Sequence, residues 1–261
     1  MAETPRYEDI TETTGGALTT EAASMMYTRY AMAARASRGR RVLELGCGAG
    51  LGLGLMARDA RLAVGGDYSA ALLRSGTRHY GGRVPFARLS AEALPFPAHS
   101  FDVVCFFEAT YYIPDMEKAF DEIARILAPG GEVLFVNANP ERPDFVRSPF
   151  SVRYHTAAEF RAALERRGFR VSTSAAFPVQ DQGKPSLLGT VLPVARRILE
   201  RLHLVPTTLE GRARLKRILF GKLRQIPPEV APDFAPEVIP VETGPGPVRN
   251  YKVIYVRGVR G

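Results

Sequence analysis

Seven short apolar runs recur along the chain: RRVLELG, RLAVGGD, RVPFARL, FDVVCFF, GGEVLFVNA, FRVSTSAAF and NYKVIYVRGV. Runs of this length and composition suit strands buried in a sheet. Between them lie LGLGLMARDA, SAALLRSGTRHYG, DMEKAFDEIARILAPGG and TAAEFRAALERRG, which have helical spacing, and an Ala/Met-rich helix over 18–37 precedes the first run. Pro129-Gly130-Gly131 and Arg167-Gly168 fit helix ends ahead of strands. Strands alternating with helices predict an α/β fold, a parallel sheet with helices on both faces.

One interval breaks the rhythm. Residues 178–249, 72 in all, separate the sixth run from the last. Val191, Val194, Ala195, Ile198, Leu199 and Leu202 follow helical spacing with arginines between them, and Leu215, Ile218, Leu219 and Leu223 do the same beside Arg214, Lys216 and Arg217. The stretch 227–247 holds seven prolines and is expected to be an extended arm. The chain is thus divided into a core, 1–177 with 248–261, and an insertion, 178–247.

Charge sharpens this division. The formal net charge is +8, and residues 189–225 carry nine Lys/Arg against Glu200 and Glu210, so nearly all the excess sits in the insertion. Three readings follow for 191–224: a lid with solvated outer arginines, a membrane-surface contact, or a site for an anionic acceptor. The plain lid ranks first, since amphipathic stretches usually face a core.

With 261 residues, 46% of them hydrophobic, the chain is long and apolar enough for a real core, which excludes general disorder. No apolar run reaches the roughly 18 residues needed to cross a bilayer. MAETPRYEDITETTGG lacks the basic-then-apolar pattern of a secretory signal. Cys47 and Cys105 are too few for a disulfide framework or a structural zinc site, and no His/Asp/Glu cluster calls for a metal. The expected setting is cytoplasmic.

The most informative stretch is Val42-Leu43-Glu44-Leu45-Gly46-Cys47-Gly48-Ala49-Gly50. A strand that ends in closely spaced glycines ahead of a helix lets backbone approach a ligand with no Cβ in the way. The dinucleotide fingerprint G-x-G-x-x-G is not met, because Leu51 stands where its third glycine would be. Glu44 would repel a pyrophosphate and attract an amine or sulfonium. The second strand ends in Gly66-Asp67, where a carboxylate suits ribose hydroxyls. Together these features favour a nucleoside with a cationic tail and no phosphates.

With VLELGCGAG, GGDYS, LSAEALPFPAHSFDVV and ARILAPGGEVLFV in this order and spacing, the sequence resembles the class I, Rossmann-like S-adenosylmethionine-dependent methyltransferases, in particular their small-molecule, methyltransferase type 11-like group. The resemblance covers roughly residues 20–175 and the last strand. It implies a mostly parallel seven-stranded sheet with its last strand antiparallel, S-adenosylmethionine as cofactor and S-adenosylhomocysteine as product. By resemblance, Gly46, Gly48 and Gly50 line the methionine part, Glu44 orients its amine, Asp67 holds the ribose and Tyr68 lies beside the adenine. The chain departs from the family at Ser90, where Asp is common. That leaves the Ser90 hydroxyl or the Ala91 backbone, beside Glu92, to meet the adenine.

Methyl transfer from a sulfonium is an in-line displacement governed largely by positioning, and only a hydroxyl acceptor gains much from a general base. Ligands in open α/β sheets sit at the carboxyl edge, which directs attention to Glu108, Tyr111 and Tyr112 after the fourth strand and to His155 after the fifth. Glu108 and His155 are the candidate catalytic residues. Tyr111 and Tyr112 are candidates for an acceptor wall, with packing under the helix of 115–127 as the alternative. Tyr30 lies on the N-terminal helix, which in resembling enzymes folds over the cofactor as a lid. The insertion leaves and returns at the same sheet edge, so it is expected to roof the acceptor site. The expected function is methylation of a hydroxyl or amine on a small molecule such as a specialised metabolite. The alternatives are an RNA methyltransferase using the basic insertion, disfavoured because FFEATYY replaces an N-P-P-Y type loop, a nicotinamide oxidoreductase, and a non-catalytic cofactor-binding protein.

Overall fold

The computed structural model describes residues 12–148, 150–179 and 223–261. Eight strands form one sheet in the order β4-β3-β2-β5-β6-β10-β7-β9. The strands are β2 (Arg41–Leu45), β3 (Leu62–Asp67), β4 (Phe86–Arg88), β5 (Phe101–Phe107), β6 (Leu127–Ala138), β7 (Phe169–Pro178), β9 (Val241–Glu242) and β10 (Tyr251–Arg260). A separate pair joins β1 (Ala17–Leu18) to β8 (Arg224–Gln225). The run from β4 to β6 is parallel, and β10 is antiparallel to both of its neighbours. All seven expected strands form. The eighth, β9, is a two-residue edge strand within the Pro-rich arm.

Strand order reverses beside β2, with β3 on one side and β5 on the other. That is the switch point at which open α/β sheets leave a crevice at their carboxyl ends. The glycine turn opens there.

Five helices, α1 (Thr20–Ala36), α2 (Leu53–Ala57), α3 (Ala70–Tyr80), α4 (Met116–Ile126) and α5 (Ala157–Glu165), cover the sheet. Thr19 starts α1 by accepting a hydrogen bond from the Ala22 N–H at 3.1 Å. Thr156 and Glu159 form a reciprocal capping box on α5. Strand side chains alternate between two buried layers. Val42, Val103 and Cys105 meet Met26, Tyr30 and Tyr80 on one face. Leu43, Val104 and Phe106 meet Phe120, Ile123 and Phe160 on the other.

The arm of 223–247 contains no helix, as its prolines require. It is not loosely attached: Ile226, Val230 and Ala235 are buried in the layer under α1. Its backbone N–H groups donate to α1 and the glycine turn: Asp233 to the Tyr27 hydroxyl at 2.9 Å, Val238 to Thr28 Oγ1 at 3.0 Å, and Val230 to the Leu51 carbonyl at 2.7 Å. The arm is therefore a strap over α1. Apart from Leu223 and Arg224, the two basic helices expected over 191–224 lie outside the described residues. Among the described residues no helix is long and apolar enough to cross a membrane, and no group of three or more His, Cys, Asp or Glu is placed to hold a metal ion.

Candidate active site

β2 delivers the chain to Gly46, Gly48 and Gly50, which have φ of 65°, 57° and 80°. These left-handed values are strained for any residue with a Cβ. Space is also short, since a Cβ at Gly46 would stand 2.6 Å from Ala109 Cβ. The turn is held from outside by Tyr80 of α3. Its buried hydroxyl donates to the Gly50 carbonyl at 2.7 Å and accepts from the Gly54 N–H at 2.9 Å. Sequence reading did not single out Tyr80, because its partners are backbone atoms about 30 residues away.

Asp67, at the end of β3, accepts hydrogen bonds from the Gly48 and Ser69 N–H groups, each at 2.8 Å. Its carboxylate therefore fixes the glycine turn from the end of the neighbouring strand. Tyr68 is exposed, with Arg88 over its ring at 5.6 Å. The Ser90 hydroxyl donates to Glu92 at 3.3 Å, and Glu92 also accepts from the Asp115 N–H at 2.9 Å. Glu92 thus braces the entry to α4, and buried Ala91 lies between the two.

Glu44 is only 1% exposed, and its Oε2 has no hydrogen-bond partner among the described residues. Burial pushes its pKa up to about 8, with Tyr30 and Arg29 pulling the other way. The Tyr30 ring lies directly on the turn, since a Cβ on Gly52 would fall 1.9 Å from it. The N-terminal helix therefore packs its Tyr30 ring against the chain just after the glycine turn.

Next to Tyr30, Arg29 is 6% exposed and ion-paired with Glu12. Burial opposes its charge, but Glu12, Tyr30 and Glu108 outweigh that and hold the guanidinium firmly protonated. Arg29 was not among the sequence candidates. The available signal was a cation between Tyr27 and Tyr30 on the apolar side of a helix.

Glu108 follows β5 in a left-handed conformation, φ 50°, and accepts from the Tyr111 hydroxyl at 3.2 Å. Burial raises its pKa, opposed by Arg29. Tyr111 is stacked on Tyr154 with centroids 4.2 Å apart, and the Tyr112 hydroxyl meets Ser148 Oγ at 2.6 Å. Glu108, Tyr111 and Tyr112 therefore form one aromatic-lined group at the carboxyl edge. His155 belongs elsewhere. Its ring packs against Phe120 and Phe160, in the layer opposite Tyr30, and burial with nearby Arg153 lowers its pKa, which keeps it neutral.

A buried acid with an unpaired oxygen, beside glycines that expose backbone and below an aromatic lid, fits a ligand with a cationic amine. Asp67 adds a carboxylate at the next strand end. The donor set, a buried acid beside exposed backbone and a second carboxylate, fits S-adenosylmethionine, which carries a cationic amine and no phosphates.

Comparison with known proteins agrees. Residues 43–135 match the family described as a methyltransferase domain. A probable S-adenosylmethionine-dependent methyltransferase of Mycolicibacterium smegmatis is 36% identical over 148 residues, covering 54% of this chain and 56% of that protein. A fatty-acid O-methyltransferase of the same organism is 33% identical over 180 residues, covering 63% of this chain and 64% of that one. The chain thus matches less than two thirds of either relative. In fold it is similar to the crystal structure of an S-adenosylmethionine-dependent methyltransferase from Thermotoga maritima, with a TM-score of 0.55 at 15% identity over 91% of both chains. The domain match over 43–135, the relatives over part of their length and the sheet topology together support a class I, Rossmann-like S-adenosylmethionine-dependent methyltransferase.

Proposed function

We propose that the protein transfers a methyl group from S-adenosylmethionine to a hydroxyl or amine of a small, largely apolar molecule, a specialised metabolite, leaving S-adenosylhomocysteine. The observation that carries this reading is the buried Glu44 carboxyl with its unpaired Oε2 at the foot of the glycine turn. When bound, the cofactor supplies an electrophilic methyl on a sulfonium. The chain's residues supply position and exclusion of water. Glu44 receives an ammonium, Asp67 holds the turn and sets a carboxylate beside the ribose position, and the Tyr30 ring keeps solvent off the turn.

Glu108 is the group best suited to take a proton from a hydroxyl acceptor. Burial raises its pKa above the ordinary carboxylate value, which strengthens it as a base, and Tyr111 fixes one of its oxygens. His155, packed against two phenylalanines of the other layer, is the weaker candidate. An apolar acceptor is supported by Tyr111, Tyr112 and Tyr154 at the carboxyl edge and by the fatty-acid O-methyltransferase among the relatives. The test is formation of S-adenosylhomocysteine from S-adenosylmethionine with a panel of long-chain and aromatic alcohols and amines. Acceptor-dependent turnover is expected. Cofactor binding without turnover on any of them would favour the non-catalytic cofactor-binding alternative.

A further inference from the structure

We infer that Arg29 and Tyr255 form a carboxylate-binding site in the layer between α1 and the sheet, and that it receives a carboxylate carried by the methyl acceptor. This inference rests on the methyltransferase reading and narrows its substrate class. Arg29 is 6% exposed and Tyr255 is 2% exposed. Neither Arg29 Nε nor the Tyr255 hydroxyl has a hydrogen-bond partner among the described residues. A buried donor without an acceptor is costly, and here two occur in one layer.

Their placement relates them. Tyr255 and Tyr30 belong to the same buried layer, and the Arg29 guanidinium sits over the Tyr30 ring at 5.1 Å. α1 is tied down on β10 by the Lys252–Glu21 ion pair at 2.7 Å. After burial, the Arg29 charge is the strongest influence on the Tyr255 hydroxyl. The site therefore offers two unpaired donors beside a permanent cation, which selects an anionic acceptor of hydrogen bonds. A guanidinium edge matches a carboxylate in particular, through two parallel N–H bonds.

The protein already displays this chemistry, because the Glu12 carboxylate pairs with the Arg29 NH2 group. Glu12 is 38% exposed, so it can leave and an incoming carboxylate can replace it. The acids that also face Arg29, Glu44 and Glu108, both have pKa values raised by burial, which reduces their repulsion of an arriving anion.

The cofactor's methionine end carries the same group, so the test must separate the two sources. Calorimetry first titrates S-adenosylhomocysteine into the full chain, then octanoate, 1-octanol and octylamine into the loaded protein. Octanoate is expected to bind at least 10-fold more tightly than 1-octanol. Arg29→Gln should weaken octanoate at least 10-fold and leave S-adenosylhomocysteine within 2-fold, and Tyr255→Phe should weaken octanoate several-fold. Glu12→Gln, at a partly exposed position, should strengthen octanoate binding by removing the internal competitor, a gain that no folding defect would produce. Equal binding of octanoate and 1-octanol, or no octanoate binding to the loaded wild type, would overturn the inference and leave the methyltransferase reading intact. Parallel loss of S-adenosylhomocysteine and octanoate in Arg29→Gln would also overturn it and assign the arginine to the cofactor. Failure of S-adenosylhomocysteine to bind the wild type would remove both.

Discussion

Replacing Glu44 by Gln separates the effect of burying an acid from the effect of offering a carboxylate to a cation. The folded pKa is about 8 against an ordinary 4.5, with burial as the main cause. Between those values the folded protein keeps a proton that the unfolded chain has lost. Stability from this group is therefore complete below pH 4.5 and falls as pH rises toward 8, by about 1.4 kcal/mol per unit and about 5 kcal/mol in total. Glu44→Gln removes that slope. Urea denaturation of the ligand-free protein at pH 5, 6, 7 and 8 should show the variant's stability changing less with pH. The variant should gain on the wild type by several kcal/mol across the series. A cationic amine at Glu44 favours the carboxylate, so binding S-adenosylmethionine at pH 7 should release about 0.9 proton from the wild type and none from the variant. Calorimetry in phosphate and in Tris reads that number directly. Identical pH slopes for the two proteins, or equal proton release, would refute the reasoning.

Two further substitutions test the surroundings of the turn, and a third tests the candidate base. Gly52 has an ordinary φ of −97°, so Gly52→Ala acts purely by driving a methyl group into the Tyr30 ring. It should cost about 1–3 kcal/mol in chemical denaturation and weaken cofactor binding, and Tyr30→Ala in the same chain should relieve the clash. Tyr80→Phe leaves the Gly50 carbonyl and the Gly54 N–H without their partner. A loss of about 1–3 kcal/mol is expected by denaturant titration, with a weaker cofactor Kd. His155→Gln should leave kcat within a few-fold, whereas a fall of about 100-fold or more would show that His155 is the base.

The core of the fold was legible because its signals are local. The seven apolar runs and the glycine stops depend on residues within a few positions of each other, and the sheet follows from their alternation. The glycine turn was legible for the same reason: Glu44 and the three glycines lie within seven consecutive residues, and Asp67 ends the next strand. What escaped depends on distant partners. The burial of Arg29 depends on its distant partner Glu12 and on the strap packed over α1. The arm reads as free because proline removes helix, yet Val230 and Ile226 still bury apolar side chains and their N–H groups reach the Leu51 and Gly16 carbonyls. β9 is too short to carry a period. His155 shows the converse, since its position before a helix at a strand end suggested chemistry, whereas its ring packs against Phe120 and Phe160.

The most direct test of the central claim is the stabilisation of the full chain by S-adenosylmethionine and S-adenosylhomocysteine, measured by denaturation beside NAD. At ~100 times its dissociation constant a ligand of the folded state adds ~2.7 kcal/mol. Stabilisation of that size by the first two compounds, absent with NAD and strongly reduced in Asp67→Ala, is the predicted result. Stabilisation by NAD with none from either S-adenosyl compound would contradict the assignment of the glycine turn, Glu44 and Asp67 to this cofactor.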